Sequence, residues 1–563
     1  MSHNTTGIRI KSRTKRRSLK AKDPVEVFCR LRPSEDPIPD IEDEDYTRCI
    51  EIISDTVIQL NPPKSSLAFK SGNKTTTQHT FKSVFQDSAT QKKVFDHVAR
   101  PLVYDLLNGK NGLLFTYGIT NSGKTYTMTG SHENSGILPR CLDVIFNSVT
   151  ELLAKPFVFK SDRLNGFKVQ SDEDAGREYR GFRRKKLKGK LDEDSDDAGL
   201  QQDRVADESL VSGLDEDNAF AVFVSYFEIY NNYVYDLFED IQVEGGKVRA
   251  PQSKQLREDA KHNMYVSGGV EVEVRSTKDT FALIEKGQKN RRMAETQLNH
   301  NSSRSHAIFN LRIVQAPLDP SGEEVFLDND KVNVSTLSLV DLAGSERTSR
   351  THADGIQLRE AGNINASLMV LRTCMETLRD NQSNGATKIV PFRDSKLTHL
   401  FKNFFDGEGK VRMVVCVNPR TEDYDETIHV LRFSELTQNV VVDRCEGVKV
   451  DGLGLAPGRR RANMLYKVQL KELEEVLKGS NKGAPQPVPR RIPDTFASDT
   501  ATDTCDPTTS EASSDDAPFR APPPRIPPRP MRFLANRVLP PLDIEKLLMK
   551  DISISVSLII YKQ

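Results

Sequence analysis

Apolar positions along this chain recur with two periods, one of strands and one of helices, and the two interleave from about residue 24 to about residue 440. Val25-Glu-Val-Phe-Cys-Arg-Leu31 has the short apolar run of a strand. Gln91 through Leu107 spaces its apolar residues three and four apart, as an amphipathic helix does. Gly112-Leu-Leu-Phe-Thr-Tyr117 and Val334-Ser-Thr-Leu-Ser-Leu-Val340 read again as strands. Elements in this alternation predict an α/β fold, a central, mostly parallel twisted β-sheet flanked by helices, over residues 24–440.

The pattern breaks in three places. Residues 1–23 form a polar arm centred on Arg13-Thr-Lys-Arg-Arg17, which reads as a nuclear-localisation patch, a contact to an acidic partner, or a solvated disordered tail. Between about 156 and 218, basic Arg183-Arg-Lys-Lys-Leu-Lys188 precedes acidic Asp192-Glu-Asp-Ser-Asp-Asp197, so the block reads as a disordered surface insertion unable to fold alone. After 440 comes a linker-like segment to Arg461, then a helix from Ala462 to Lys478 with Leu470, Leu473 and Leu477 on one stripe, about two heptads and too short for a stable zipper. Residues 479–541 are rich in Pro, Ser and Thr, and 12 of the chain's 29 prolines fall between 485 and 530, a composition for disorder or polyproline II. The tail 542–563 contains Ile552-Ser-Ile-Ser-Val-Ser-Leu-Ile-Ile560, which alternates at strand period and is too short to span a membrane.

Composition narrows the class only a little. Lys plus Arg and Asp plus Glu both number 80 in 563 residues, so no overall charge excess points to a nucleic-acid partner, and affinity for any acidic surface has to come from local patches. The seven cysteines are odd in number and scattered, with no CxxC pair or metal spacing, which predicts reduced thiols in a cytoplasmic or nuclear compartment. No apolar run approaches the roughly 18 residues of a membrane span, and the basic N-terminus lacks a signal peptide's apolar core.

Chemistry enters with Gly118-Ile119-Thr120-Asn121-Ser122-Gly123-Lys124-Thr125, a complete G-x-x-x-x-G-K-[ST] phosphate loop that follows a strand. Its glycines let backbone N–H groups face the β-phosphate, Lys124 offers a point charge to the β and γ oxygens, and the Thr125 hydroxyl can ligate Mg²⁺. Two later segments complete the site. Asn299-His-Asn-Ser302-Ser303-Arg304-Ser-His306 is a hydroxyl-rich stretch suited to sensing a γ-phosphate. The strand ending at Val340 runs into Asp341-Leu-Ala-Gly344-Ser-Glu346-Arg347, whose Asp can hold a Mg²⁺ shell and whose Gly344 N–H can approach the γ-phosphate with no Cβ in the way.

These segments, in this order, resemble the kinesin motor domain: its phosphate loop, its NxxSSRSH first switch and its DLAGSER second switch. Arg30-Leu-Arg32-Pro33, Ser225-Tyr-Phe-Glu-Ile-Tyr-Asn231, Gly362-Asn-Ile-Asn-Ala-Ser-Leu368, Val390-Pro-Phe-Arg-Asp-Ser-Lys-Leu-Thr398 and Leu431-Arg-Phe-Ser-Glu435 extend the likeness over residues 24–440. Phe401 through Arg412 and the long charged insert are similar to the cytokinetic kinesin-6 class.

The resemblance implies a microtubule-stimulated ATPase that takes ATP and Mg²⁺, moves toward plus ends and acts in the spindle midzone, midbody and cytokinesis, with a Rho-family GTPase-activating partner. Arg30, Arg32, Pro33 and Tyr126 would border the adenine. Ser302 and Ser303 would close over the γ-phosphate, with Ser303 and, through water, Asp341 joining Thr125 on Mg²⁺. Arg304 and Glu346 would pair across the switches to order the attacking water. Arg347, Lys388, Arg393, Lys396 and Lys402 sit in segments that face the filament in kinesins. At two positions where many kinesins carry Tyr and His on the adenine side, this sequence has Lys110 and Tyr126. A microtubule-binding scaffold with little turnover is the other reading, and intact Lys124, Thr125, Arg304 and Glu346 argue for hydrolysis. Pro524-Arg-Ile-Pro527-Pro-Arg529 matches the PxxPxR pattern of SH3 ligands, a match that Pro/Arg-rich sequence also produces by chance.

Overall fold

The computed structural model describes residues 22–33, 48–131, 133–189, 204–240, 243–244, 247–248, 251–298, 304–346, 356–385, 387–443 and 455–480. The readings of the basic arm's Arg13–Arg17, of Pro524–Arg529 and of Ile552–Ile560 lie outside these residues.

Among the described residues the central sheet holds nine strands: β1 Glu26–Leu31, β2 Ser83–Phe85, β3 Gly112–Tyr117, β4 Asn218–Tyr230, β5 Tyr233–Asp236, β6 Val272–Val274, β7 His306–Pro317, β8 Asn333–Asp341 and β9 Lys410–Val417. Their order is β5-β4-β7-β8-β3-β9-β1-β2, with β6 also on β4. From β8 to β2 every pairing is parallel, and from β5 to β8 every pairing is antiparallel. The sheet is therefore mixed. Its parallel half, the part that βα crossovers build, carries the phosphate loop at its C-terminal edge.

Both faces of that half are buried, which is why its strands read as apolar runs rather than as alternations. Leu113, Phe115 and Tyr117 of β3 pack on one face with Val340, Met413 and Val415, while Leu114 joins Leu339, Val414 and Cys416 on the other. Helices α1 Gln91–Val98, α2 Arg100–Leu107, α4 Ile137–Val149 and α6 Thr277–Leu298 send Val94, Leu102, Val144 and Ile284 into the second face. Helices α7 Ile356–Asn384, α8 Lys396–Leu400 and α9 Tyr424–Gln438 cover the first with Leu371, Leu397 and Phe433. Full burial of each such side chain contributes about 1.5–3 kcal/mol, so these faces hold the sheet together. The short helix α3 Lys124–Met128 follows β3 directly. Thr90 caps α1, its hydroxyl accepting the Lys93 N–H at 3.2 Å, and a proline opens α2.

The insert departs from the expectation of a disordered surface block. Phe159–Ser161 and Phe167–Val169 form an antiparallel hairpin, helix α5 Asp172–Gly189 follows, and Phe159, Phe167 and Ala175 are buried with Ala221, Phe223 and Val314 of the sheet. Its far end is pinned as well: Arg204 grips the buried Asp143 of α4, and Asp207 takes Lys92 at 3.0 Å and Arg140 at 2.8 Å. The apolar residues that fold this segment stand at its two ends, outside the charged runs that dominate its composition. After α9, Val441–Asp443 pairs antiparallel with Lys22–Pro24, and helix α10 spans Arg459–Ser480, three residues earlier than its stripe predicts.

Candidate nucleotide and filament sites

The phosphate loop joins β3 to α3. Gly118 and Gly123 turn it with φ of 151° and 96°, and a side chain on Gly118 would collide with the Cys416 carbonyl of β9. Lys124 is buried at 6% exposure, with Nζ donating to the Ile119 carbonyl at 2.8 Å. Burial lowers its pKa, and the carboxylates of Asp341 and Glu346 oppose that shift. Ser122 Oγ donates to the same carbonyl at 2.8 Å, closing the inside of the loop.

β8 lies parallel and adjacent to β3, so Asp341 at its end sits opposite Thr116. Thr125 Oγ1 donates to Asp341 Oδ2 at 2.6 Å and Thr116 Oγ1 donates to Oδ1 at 3.0 Å. A hydroxyl and a carboxylate are thus fixed at the mouth of the loop. Beside them opens a cavity of about 390 Å³, polar at Thr125, Asp341, Arg291 and Arg292 and apolar at Met128, Leu138 and Phe309.

The second switch closes back onto the loop. Ser345 N donates to the Gly118 carbonyl at 3.2 Å, and Glu346 accepts both the N–H of Thr120, at 2.8 Å, and its hydroxyl. Both Glu346 oxygens therefore engage Thr120 here. Gly344 lies under this clasp, so closely that a Cβ there would overlap Thr120 and Glu346.

His306 is buried, and its Nδ1 accepts the Ala343 N–H at 3.0 Å while its Nε2 meets Ser367 Oγ of α7 at 2.9 Å. Accepting at Nδ1 fixes the proton on Nε2. Burial, with Arg291 and Lys124 nearby, pushes its pKa down to about 3, so it stays neutral at physiological pH. Arg291 of α6 holds Glu228 at 3.1 Å and the Ser305 hydroxyl at 2.7 Å, anchoring the end of the first switch. Ser302, Ser303 and Arg347 lie outside the described residues.

On the open side of the loop, Arg32 donates to the Asn121 carbonyl at 2.6 Å, with Pro33 exposed beside it. Arg30 instead points inward. It bonds Gln91 at 2.8 Å and Thr127 at 2.9 Å, and it underlies the Tyr126 ring at 5.1 Å, so it supports that ring from the inside.

A second cluster forms around His399 of α8, whose pKa is lowered by burial and then by Arg393, Lys396 and Lys402. Those three cations converge on one surface. Lys388 stands apart from it, in an ion pair with Asp380 at 3.8 Å.

The sequence profile of the kinesin motor domain matches residues 30–440. The chain belongs to this family. It is 53% identical to the kinesin-like protein KIF23 of Mus musculus over 454 residues, 79% of this chain and 46% of that protein. To human KIF20B it is 37% identical over 447 residues, covering 76% of this chain and 24% of the relative. The chain thus spans half or less of these relatives' length. A solved structure titled "kinesin 6" is 39% identical with a TM-score of 0.60, covering 73% of this chain and 98% of that one. A KIF14 dimer, described as bound to a microtubule with AMP-PNP, is 26% identical with a TM-score of 0.55, over 76% of this chain and 97% of that one.

In this kinesin, Lys110, at a position where many kinesins carry Tyr, takes a local partner. Lys110 precedes β3, whereas the phosphate loop follows it. Lys110 pairs with Asp105 at 3.2 Å. The sequence reading gave no contact to Thr116 or, within the Asn299–His306 segment, to His306. Thr116 looked like one more strand residue, and only the β3/β8 register aims it at Asp341. Among the described residues no helix is long and apolar enough to cross a membrane.

Proposed function

We propose that this chain is an ATP hydrolase of the kinesin type, a microtubule-stimulated motor that moves toward plus ends. The observation that carries the reading is the double tie between loop and second switch: Asp341 bonded to Thr125 and Thr116, and Glu346 bonded to Thr120 two residues beyond Gly344. A site of this kind works by positioning and charge neutralisation, because phosphoryl transfer to water needs little covalent help. Lys124 leaves the Ile119 carbonyl to meet the β and γ oxygens of ATP. Gly344 offers its N–H to the γ-phosphate, and Glu346 exchanges Thr120 for Arg304 as Ser302 and Ser303 close.

The donors fit Mg²⁺. Thr125 Oγ1 and Asp341 supply only oxygen, the preference of a hard cation. When bound, it neutralises charge on the phosphate oxygens.

Coupling to the filament runs through His306. It ties Ala343, next to Gly344, to Ser367 of α7, and α7 packs through Leu371 against Leu397 of α8, the helix that bears the cation cluster. Arg393, Lys396 and Lys402, with Arg347 and Lys388 by family likeness, are the filament contacts. The likeness to KIF23 further supports a role in midzone organisation and cytokinesis at the spindle midzone and midbody, with a Rho-family GTPase-activating partner.

Microtubule-stimulated phosphate release by the purified chain tests the function. Removing charge in Arg393→Ala/Lys396→Ala should raise the half-stimulating microtubule concentration several-fold and leave basal turnover alone. Tight microtubule binding without stimulated release would instead make the chain a scaffold.

A further inference from the structure

The inserted hairpin lies in line with the cation cluster. Its tip, Asp162 to Gly166, is held rigid: Asp162 Oδ1 accepts the N–H of Leu164 at 2.7 Å and of Gly166 at 2.8 Å, while Arg163 and Asn165 sit in the left-handed region. At its base Phe167 packs on Phe223 of β4, with ring centroids 4.6 Å apart. Its flank is bonded sideways. Asn165 donates to Asp259 at 2.8 Å, Arg312 donates to the Asn165 carbonyl at 2.8 Å, and Ser161 donates to Glu271 at 2.9 Å.

Asp259 stands at the turn of a second hairpin, Gln255–Glu258 with Met264–Ser267. On its other side that turn is fastened to Asn403, which donates to the His262 carbonyl at 2.8 Å and is the neighbour of Lys402. Insert hairpin, second hairpin and cation cluster therefore form one continuous surface. Along it Arg163, Lys168, Arg257 and Lys261 are exposed, as is Leu164 at 64%. Among the described residues neither Arg163 nor Lys168 is in an ion pair, whereas Lys160 on the same hairpin is taken by Glu178 at 2.9 Å.

We infer that the tip of this hairpin, Arg163 and Leu164, together with Lys168 on the strand behind it, is an additional microtubule contact, reaching the acidic folded surface of the lattice beside the site engaged by Arg393, Lys396 and Lys402. The inference rests on the filament-binding reading above. A rigid tip carrying a projecting leucine between cations suits a shaped surface better than tubulin's flexible acidic tails. Its cations extend the positive strip, so it adds affinity and salt dependence without touching the nucleotide.

Co-sedimentation of the full chain with stabilised microtubules across a salt series tests it, using Arg163→Glu/Lys168→Glu and, separately, Leu164→Ser. The double variant should bind about tenfold more weakly at low salt, with a shallower salt dependence. Leu164→Ser should lose affinity at every salt. Basal turnover and circular dichroism should match wild type, and the loss should persist on filaments whose tails have been cleaved. Unchanged affinity in both folded variants would overturn the inference, and so would a loss that disappears on tail-cleaved filaments. If those variants bind normally while Arg393→Ala/Lys396→Ala binds weakly, only this contact falls. If wild type does not bind, the function and this contact fall together.

Discussion

Replacing Gly344 with alanine separates folding from hydrolysis, because the space it would fill is occupied only by movable side-chain tips. A Cβ built there lies 2.6 Å from Glu346 Oε1 and closer still to Oε2 and to Thr120 Oγ1. Carbon and oxygen prefer about 3.5 Å, so the Glu346–Thr120 clasp has to open by about 1 Å or more. Hydrogen bonds to a charged group are worth about 1.5–3 kcal/mol each, but a half-buried carboxylate that swings outward regains water, and the net loss of stability should be about 1–2 kcal/mol. The fold survives that.

Hydrolysis should not. The methyl group stands where the γ-phosphate has to approach the Gly344 N–H, and loss of one aligned donor to developing charge costs about 10²–10³ in rate. Nucleotide affinity should stay within about threefold, because Lys124, Thr125 and Asp341 are untouched and each removed contact is worth little in water. Single-turnover phosphate release, run beside a fluorescent-nucleotide binding titration, reads the two effects separately. Release within about twofold of wild type would remove Gly344 from the mechanism. A parallel collapse of nucleotide binding would show that the clasp shapes the loop itself.

Two further outcomes follow from the site and the insert. Lys124→Ala should abolish turnover and weaken nucleotide binding, since this buried cation is the charge nearest the phosphates; near-wild-type phosphate release would sink the assignment. Burial alone would raise the Asp207 carboxyl, but hydrogen bonds from Ser209 and the cations Lys92 and Arg140 more than offset it and hold the pKa at about 2, below its ordinary 3.8. A depressed acid stabilises above its unfolded pKa and ceases to as pH falls through its folded one, so up to about 2 kcal/mol should vanish between those two values. Urea midpoints measured down that range should fall less steeply for Asp207→Asn, and parallel curves would refute the role of Asp207's ties to Lys92 and Arg140.

How much of this was legible in the sequence depended on whether a residue's task is local. The phosphate loop reads directly, because Gly118 and Gly123 turn the backbone and Lys124 and Thr125 stand within one turn of chain of them. Strand content was legible from apolar runs, but their partners were not: nothing local to β4 or β7 tells that they pair antiparallel while β3 and β8 pair parallel. Thr116 and His306 escaped for the same reason, since each acts on a residue more than thirty positions away. The insert misled through averaging. Its charge runs dominate the composition, yet Phe159, Phe167, Arg204 and Asp207 at its ends do the docking.

The chain after the motor core carries the same lesson to a testable point. Arg459 and Arg460, which read as part of a linker, are anchors. The buried carboxylate of Asp217 accepts the N–H of Gly458 at 2.7 Å and of Arg460 at 3.1 Å, and the Arg459 guanidinium lies 3.9 Å away. Arg460 reaches the carbonyls of Glu151, at 2.8 Å, and Asn218, at 3.0 Å. Beyond these residues Lys467 pairs with Glu323 at 2.5 Å, and the apolar Met464, Leu465, Tyr466, Leu470 and Leu473 are all exposed. Asp217→Ala leaves two backbone N–H groups without their acceptor and the half-buried Arg459 guanidinium without its carboxylate, a situation worth about 3–5 kcal/mol where the charge cannot escape. Here it can escape by carrying the helix off the core. The expected result is therefore loss of hydrogen-exchange protection across residues 458–470, with protection in β3, β8 and β9 intact and nucleotide turnover unchanged. Retained protection in α10 would mean that its apolar stripe, rather than Asp217, seats the helix, and a drop in core protection would mean that Asp217 supports β4 directly.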